Sequence, residues 1–390
     1  MAKTKPQTKP AKSRSKDSIL HAANSPLKHK RAKRPVTDLL TEAATHLQQS
    51  QPVIARSLAE SVVKRLESDP NPPIPLAPAL SFLAEIYLEL GDSSTARLNF
   101  TRATSLDRQG ELISAEPFLW LAQLDEEGGF TSLRWFEQAN NILRREVAAL
   151  EAQAKRTEEA ETELSEKKIK LSDALCSMAE VYMTDLSLEP DAESKCESLV
   201  TEALIIAPDS PSALQTLANV RISQLRTDDA KAALERSLEI WEKLPPDNES
   251  GAVPDFATRI SLTRLLIEVE METRAMGVLE RLVQEDDQSV EAWYLGGWCQ
   301  FLLGEKEQSA ERRHGAREWL ETSLSLCKLL DYEDDRLIAH AKEILEGLNK
   351  ELGLEKDEDD WENEDGGEGN DAEDGEEIEI RDEDGDAEMT

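Results

Sequence analysis

LAEIYLELGDSSTARLNFTRATSLD, residues 83–107 of the 390-residue chain, reads as two amphipathic helices joined by a glycine turn. Leu83, Ala84 and Tyr87 recur at helical spacing and mark one face of a first helix. Gly91 and Asp92 interrupt it, and Ala96, Phe100 and Ala103 form the inner face of a second helix. Small residues let two antiparallel helices approach closely, and a large residue fills the gap beside them. That is the tetratricopeptide pattern, with small-to-small steps of twelve, four and three residues.

The same steps recur at Ala43, Ala55, Ala59 and Val62, at Ala218, Ala230, Leu234 and Ser237, and at Thr263, Ala275, Leu279 and Leu282. Three further units keep the pattern with altered connections. Ala122 and Ser132 stand closer together, before Phe136 and Ala139. Ala179 and Cys196 stand farther apart, before Val200 and Ala203. Trp293 and Gly297 open a last unit, with an inserted charged loop expected before Ala316, Leu320 and Ser323. The reading is all-α: a right-handed α-solenoid of about seven tetratricopeptide repeats near 36–69, 77–110, 115–146, 172–208, 211–244, 256–289 and 290–326. A capping helix is expected at 334–350, where Leu337, Ala341, Ile344 and Leu348 share a face. The Pro-rich stretch 70–78 reads as an inter-repeat loop, and the charged stretch 151–170 as a lengthened helix.

Charge divides the chain in three. The net formal charge is −35, of which residues 1–35 carry +10 and residues 355–390 carry −18, leaving −27 for 36–354. Both ends are too polar to bury a core and read as disordered arms, one basic and one acidic. An acidic body repels phosphate backbones, so neither direct nucleic-acid binding nor an acidic membrane surface is expected. No apolar run approaches the ~18 residues that cross a bilayer. Cys176, Cys196, Cys299 and Cys327 lie far apart without a CxxC pair, which fits reduced thiols in an intracellular protein.

Enzyme signatures are missing: the sequence has no HExxH, P-loop, nucleophile elbow or GxGxxG. Its five histidines are dispersed, and Asp382, Asp384 and Asp386 lack the glycine and terminal glutamate of a calcium loop. No enzyme activity, cofactor or metal is therefore expected. A solenoid of helix pairs instead offers a concave surface lined by first helices. Carrying over the family's ligand-contact positions gives Glu85, Glu89, Glu116, Glu126, Glu127, Asp173, Glu180, Gln215, Asn219, Ile260, Glu268 and Glu291, with Tyr294, Trp298 and Phe301 at one end. Such a groove suits an extended Lys/Arg-rich segment with a few apolar anchors. Position 5 of each first helix is never basic, which disfavours a heat-shock co-chaperone that grips acidic tails. HKRAKRP at 29–35 resembles a nuclear-import signal read by an import receptor, through Lys30, Arg31, Lys33 and Arg34.

The acidic repeat body, the Lys-rich N-terminus and an acidic tail opening with DDWEN together resemble the fungal assembly chaperones of ribosomal protein L four, over about 36–365. The resemblance implies a dedicated chaperone, monomeric and bound one-to-one. It implies capture of a newly made basic ribosomal protein by its extended internal loop, and escort from cytoplasm to nucleus for large-subunit assembly. The residues by themselves agree on an acidic groove for a basic client and do not name that client. Two other readings stand beside it. One is a histone chaperone of the acidic tetratricopeptide type, the other a scaffold subunit of a large complex.

Overall fold

The computed structural model describes residues 34–153, 155–245 and 252–354. Among them are fifteen α-helices and no strand. The expected disordered arms, the import cluster at Lys30, Arg31 and Lys33, and the aspartates near the C-terminus lie outside the described residues.

The chain divides into two compact units at Val220/Arg221. In the first, the helices are α1 (Val36–Gln48), α2 (Pro52–Ser68), α3 (Leu76–Glu89), α4 (Ser93–Leu106), α5 (Glu116–Gln123), α6 (Gly129–Glu151), α7 (Glu158–Met183), α8 (Ala192–Ile206) and α9 (Pro211–Ser223), whose last turn crosses the boundary. The second holds α10 (Thr227–Trp241), α11 (Phe256–Glu268), α12 (Glu272–Glu285), α13 (Val290–Glu307), α14 (Ala310–Leu329) and α15 (Asp335–Glu351). Most helices pack on their sequence neighbours. In the second unit α13 also packs on α11 and α15, so first helices meet first helices as repeat stacking requires.

The small-residue register lies in the core. Ala43, Ala55, Ala59, Ala84, Ala96, Phe100, Ala103, Ala139, Ala179, Ala203, Ala275 and Ala316 are fully buried. Two register serines bond the neighbouring helix backbone, Ser132 Oγ donating to Ala122 O at 2.6 Å and Ser323 Oγ to Val290 O at 3.1 Å. Thr263 Oγ1 instead donates within its own helix, to Ile260 O at 2.7 Å. A buried hydroxyl without such an acceptor would cost more than it contributes. All four cysteines are free and buried. Burial pushes the thiols of Cys176 and Cys299 up to about 12, so they pack as small apolar groups and do not react as thiolates.

Turn chemistry matches the quoted stretch. Gly91 adopts a left-handed φ of 76°, and the Asp92 carboxylate caps α4 by accepting from Thr95 N at 3.0 Å. The longer α4–α5 connection is organised by Asp107. Its carboxylate accepts from the backbone amides of Glu111, Leu112 and Ile113 at 3.1, 2.6 and 2.9 Å. Burial alone raises this acid, but the three amide donors outweigh it and hold the carboxyl below its ordinary value.

Two connections differ from expectation. The loop after α2 ends at Pro75, and Pro78 sits in the first turn of α3, where its missing N–H is not needed. The charged loop expected before Ala316 is largely helix: α13 runs to Glu307 and α14 starts at Ala310. The seven residues beyond the usual spacing amount to about two helical turns at 3.6 residues each. One extra turn on each helix leaves the inward face where it was. This pair is also tightly apposed, since a Cβ on Gly296 would stand 2.0 Å from the Trp319 ring. The stretch 151–170 joins the end of α6 to the first half of α7, a helix of 26 residues capped by Thr157.

Candidate functional site

In the first unit, side chains connect the first helices in order. Glu85 on α3 lies close enough to Glu116 on α5 for mutual repulsion. Glu116 pairs with Lys170 on α7, and Cys176 on α7 lies beside Thr216 on α9. This succession of first helices forms one face of the unit. Its carboxylates at Glu85, Glu89, Asp173 and Glu180 form no ion pair among the described residues. The reason is compositional: α3, α5 and the segment 171–183 of α7 contain no Lys or Arg.

Three of these acids carry the mark of a recessed position. Burial pushes up the carboxyls of Glu85 and Glu180, and it raises Asp173 to about 6. Asp173 and Glu180 are nonetheless open to water by surface area. The two facts agree for a group with one solvent-facing side and protein mass around the rest. Water then stabilises the charge only partly, and a cation arriving from the open side supplies what is missing.

The second-helix side has the opposite chemistry. Arg102 on α4 pairs with Glu67 on α2, and Arg144 on α6 pairs with Glu202 on α8 at 2.6 Å. Arg274 on α12 pairs with Glu235 at 2.9 Å and Glu242 at 3.0 Å. Arginines there neutralise some of the acids and link successive second helices, while Glu137, Glu193, Glu239 and Glu280 form no ion pair among the described residues.

In the second unit, the first helices α11, α13 and α15 are joined by an Arg264–Glu291 pair at 3.0 Å and a Tyr294 hydroxyl–His340 Nδ1 contact at 2.7 Å. Between α11 and α13 opens a cleft of about 590 Å³. Ile267, Leu295, Leu302, Tyr294 and Trp298 supply its apolar walls, and Arg264, Glu268, Glu270, Glu272 and Lys306 its charges. The Tyr294 and Trp298 rings stack with centroids 6.3 Å apart, and the Trp298 ring meets His340 edge-on at 5.4 Å.

The expected site residues fall into three groups. Glu85, Glu89, Asp173, Glu180, Glu268, Tyr294 and Trp298 lie on first helices and reach solvent, and Asn219 is half-buried on α9. Others are displaced. Glu126 and Glu127 are not on a first helix, because α5 ends at Gln123 and both fall in the following turn. Glu126 there pairs with Arg97 at 2.9 Å. Ile260, expected in the groove, is 4% exposed and belongs to the core. Glu291 is already neutralised by Arg264. Tyr294, Trp298 and Phe301 all pack partly buried against the cluster of Ala316, Leu320, Ala341 and Ile344; of the three, Tyr294 and Trp298 also line the cleft, together with Leu302. Ile267, Glu270, Leu302 and Lys306 were not singled out from sequence; only the fold brings α11 against α13. Arg34, the one described member of the import cluster, is exposed and pairs with Glu42. Among the described residues, no group of three or more His, Cys, Asp or Glu could hold a metal, and no helix is long and apolar enough to cross a membrane.

Fold and face together define a tetratricopeptide-type repeat protein with an acidic first-helix surface. Its particular branch emerges from its relatives. Over 380 residues the chain is 45% identical to an Emericella nidulans protein named "Probable assembly chaperone of rpl4", covering 92% of this chain and 93% of that one. A Schizosaccharomyces pombe protein of the same name is 35% identical over 73% of this chain and 85% of its own length. The solved structure of "Assembly Chaperone of RpL4 (Acl4)", residues 1–338, superposes with a TM-score of 0.65 at 44% identity, covering 71% of this chain and 99% of that one. No protein-family model matches. The chain belongs to the family of the assembly chaperones of rpl4.

Proposed function

We propose that this chain is a dedicated assembly chaperone of ribosomal protein L4. It acts by binding and not by catalysis, holding an extended Lys/Arg-rich segment of the newly made client on the acidic first-helix face. The observation that carries the reading is the partition of charge. Glu85, Glu89, Asp173 and Glu180 stay unpaired on the first-helix face of the N-terminal unit, where α3, α5 and residues 171–183 carry no Lys or Arg. Arginines on second helices, by contrast, pair with Glu67, Glu202, Glu235 and Glu242. Relatives 45% and 35% identical share the name that specifies the client.

Mechanistically, an unassembled RNA-binding segment is basic and prone to aggregate with polyanions. Pairing its cations with recessed carboxylates masks that charge, and complementary fields speed capture. Ribosomal RNA carries a denser charge and competes for the same cations, which provides release at the assembly site. We place the chain in cytoplasm and nucleus, one copy per client, with residues 29–35 engaging an import receptor and no direct nucleic-acid contact by the body.

The test is calorimetry of the full chain with recombinant ribosomal protein L4, comparing the native protein with Glu85→Lys/Asp173→Lys/Glu180→Lys. Reversal should weaken binding by roughly three orders of magnitude, because each site converts an attraction into a repulsion. Binding by the native protein should also fall steeply between low salt and about 0.5 M salt. Unchanged affinity under both treatments would sink the reading.

A further inference from the structure

The cleft between α11 and α13 has a composition unlike the rest of the first-helix face. Its interior is apolar and aromatic, from Ile267, Leu295, Leu302, Tyr294 and Trp298, and its charges are unevenly occupied. Lys306 is held by Glu272 at 2.7 Å and Glu270 at 3.6 Å, and Arg264 by Glu291 at 3.0 Å. Both cations are therefore neutralised by the protein's own acids. Glu268 is exposed at the end of α11 and forms no ion pair among the described residues. The cleft thus combines an apolar wall, two aromatic rings and one free carboxylate.

We infer that this cleft is a specificity pocket for a single arginine side chain of the client's extended segment, and this rests on the client reading above. Arginine satisfies each feature in turn. Its three-carbon stem lies along apolar surface while its head stays at a polar edge. A planar guanidinium is weakly hydrated, stacks on aromatic rings and pairs with a carboxylate through two parallel N–H donors. Lysine offers the stem and the charge but neither the plane nor the fork. A purely apolar side chain fills the wall but leaves Glu268 unanswered. The unpaired acids of the first unit offer charge to arginine and lysine alike. The pocket therefore adds side-chain selectivity to a segment that the first unit holds by charge.

The experiment uses the full chain and overlapping synthetic peptides spanning the basic internal segment of ribosomal protein L4. Each arginine is replaced in turn by lysine and by leucine. One position should lose about tenfold in affinity on replacement by lysine, the others much less. In Trp298→Leu and Glu268→Gln proteins, whose helicity is checked by circular dichroism, that difference should shrink to about twofold or less. Trp298→Phe should retain part of it. If peptides bind but no arginine couples to Trp298 and Glu268, the pocket assignment is overturned while the client reading stands. Coupling to a leucine or isoleucine instead has the same consequence, marking the cleft as an apolar anchor. If no peptide binds the native protein, the client reading fails and the inference fails with it.

Discussion

The two units present first-helix faces of opposite design. In the N-terminal unit, Glu85, Asp173 and Glu180 stand recessed, with raised carboxyls and no cation beside them. In the C-terminal unit, Arg264 and Lys306 already occupy Glu291 and Glu272, and the open feature is a cleft walled by Tyr294 and Trp298. The first is a charge surface, tolerant of where each cation falls. The second is a shaped pocket, sensitive to one side chain. Long-range attraction and positional selectivity are thereby separated along one chain.

The largest effect that could break this comparison is the triple reversal at Glu85, Asp173 and Glu180, set against Trp298→Leu. The reversal should abolish most salt-sensitive affinity, whereas Trp298→Leu should leave the salt slope nearly unchanged, as read by calorimetry at several ionic strengths. Equal salt slopes in both variants would remove the distinction.

Next in size is a packing change confined to the second unit. Gly296→Val places side-chain atoms inside the Trp319 ring and should destabilise by about 2–3 kcal/mol, measured by denaturant unfolding. Client capture by the first unit should then persist at temperatures where the second unit has lost its fold.

Asp107→Ala is the counterpart in the first unit. Asp107 is 7% exposed, and its removal strands amides it now accepts from, at a cost of about 2 kcal/mol. The pH sign follows from its depressed pKa. The contribution is fully present above the ordinary aspartate value and is lost as pH falls below it through the lower folded value. Unfolding midpoints of native and variant proteins should therefore converge in acid.

Asp173 behaves in the reverse sense. Its carboxyl sits near 6, above the ordinary value, so the folded state holds the proton more tightly and folding stability declines as pH rises through that window. Client cations need the ionised form. Affinity should drop about fourfold from pH 7.5 to 5.5 on account of this group alone, and Asp173→Asn should flatten the profile. The smallest effect belongs to the second-helix side. Arg144→Ala breaks an exposed pair with Glu202, should shift stability by no more than about 0.5 kcal/mol, and should leave client affinity unaltered.

Much of the fold was legible because small residues at fixed intervals have a single geometric use. Ala84, Ala96 and Ala103 are small where two helix backbones must approach, and each is fully buried. The site was legible in part. Glu85 and Glu180 follow from the repeat register alone. Glu126 and Glu127 did not, because α5 is only eight residues long and its early end is fixed by the Gly128–Gly129 turn docking on Asp185. Phe301 and Leu302 are adjacent and both half-buried, and sequence alone cannot say which of two such neighbours lines the cleft.

By itself, the sequence determined the helical repeat, the acidic sign of the body and the lack of cations on α3 and α5, since these depend on residue type and spacing within one helix or pair. Which acids are neutralised from a distance was decided only by tertiary structure. Arg264 reaches Glu291 across 27 positions, Lys170 reaches Glu116 across 54, and Glu85, Asp173 and Glu180 are left over. The aromatic cleft has the same origin, because its walls come from two helices that meet only when the repeats stack. Charge is a local property of a chain, but the neutralisation of charge is a property of its packing.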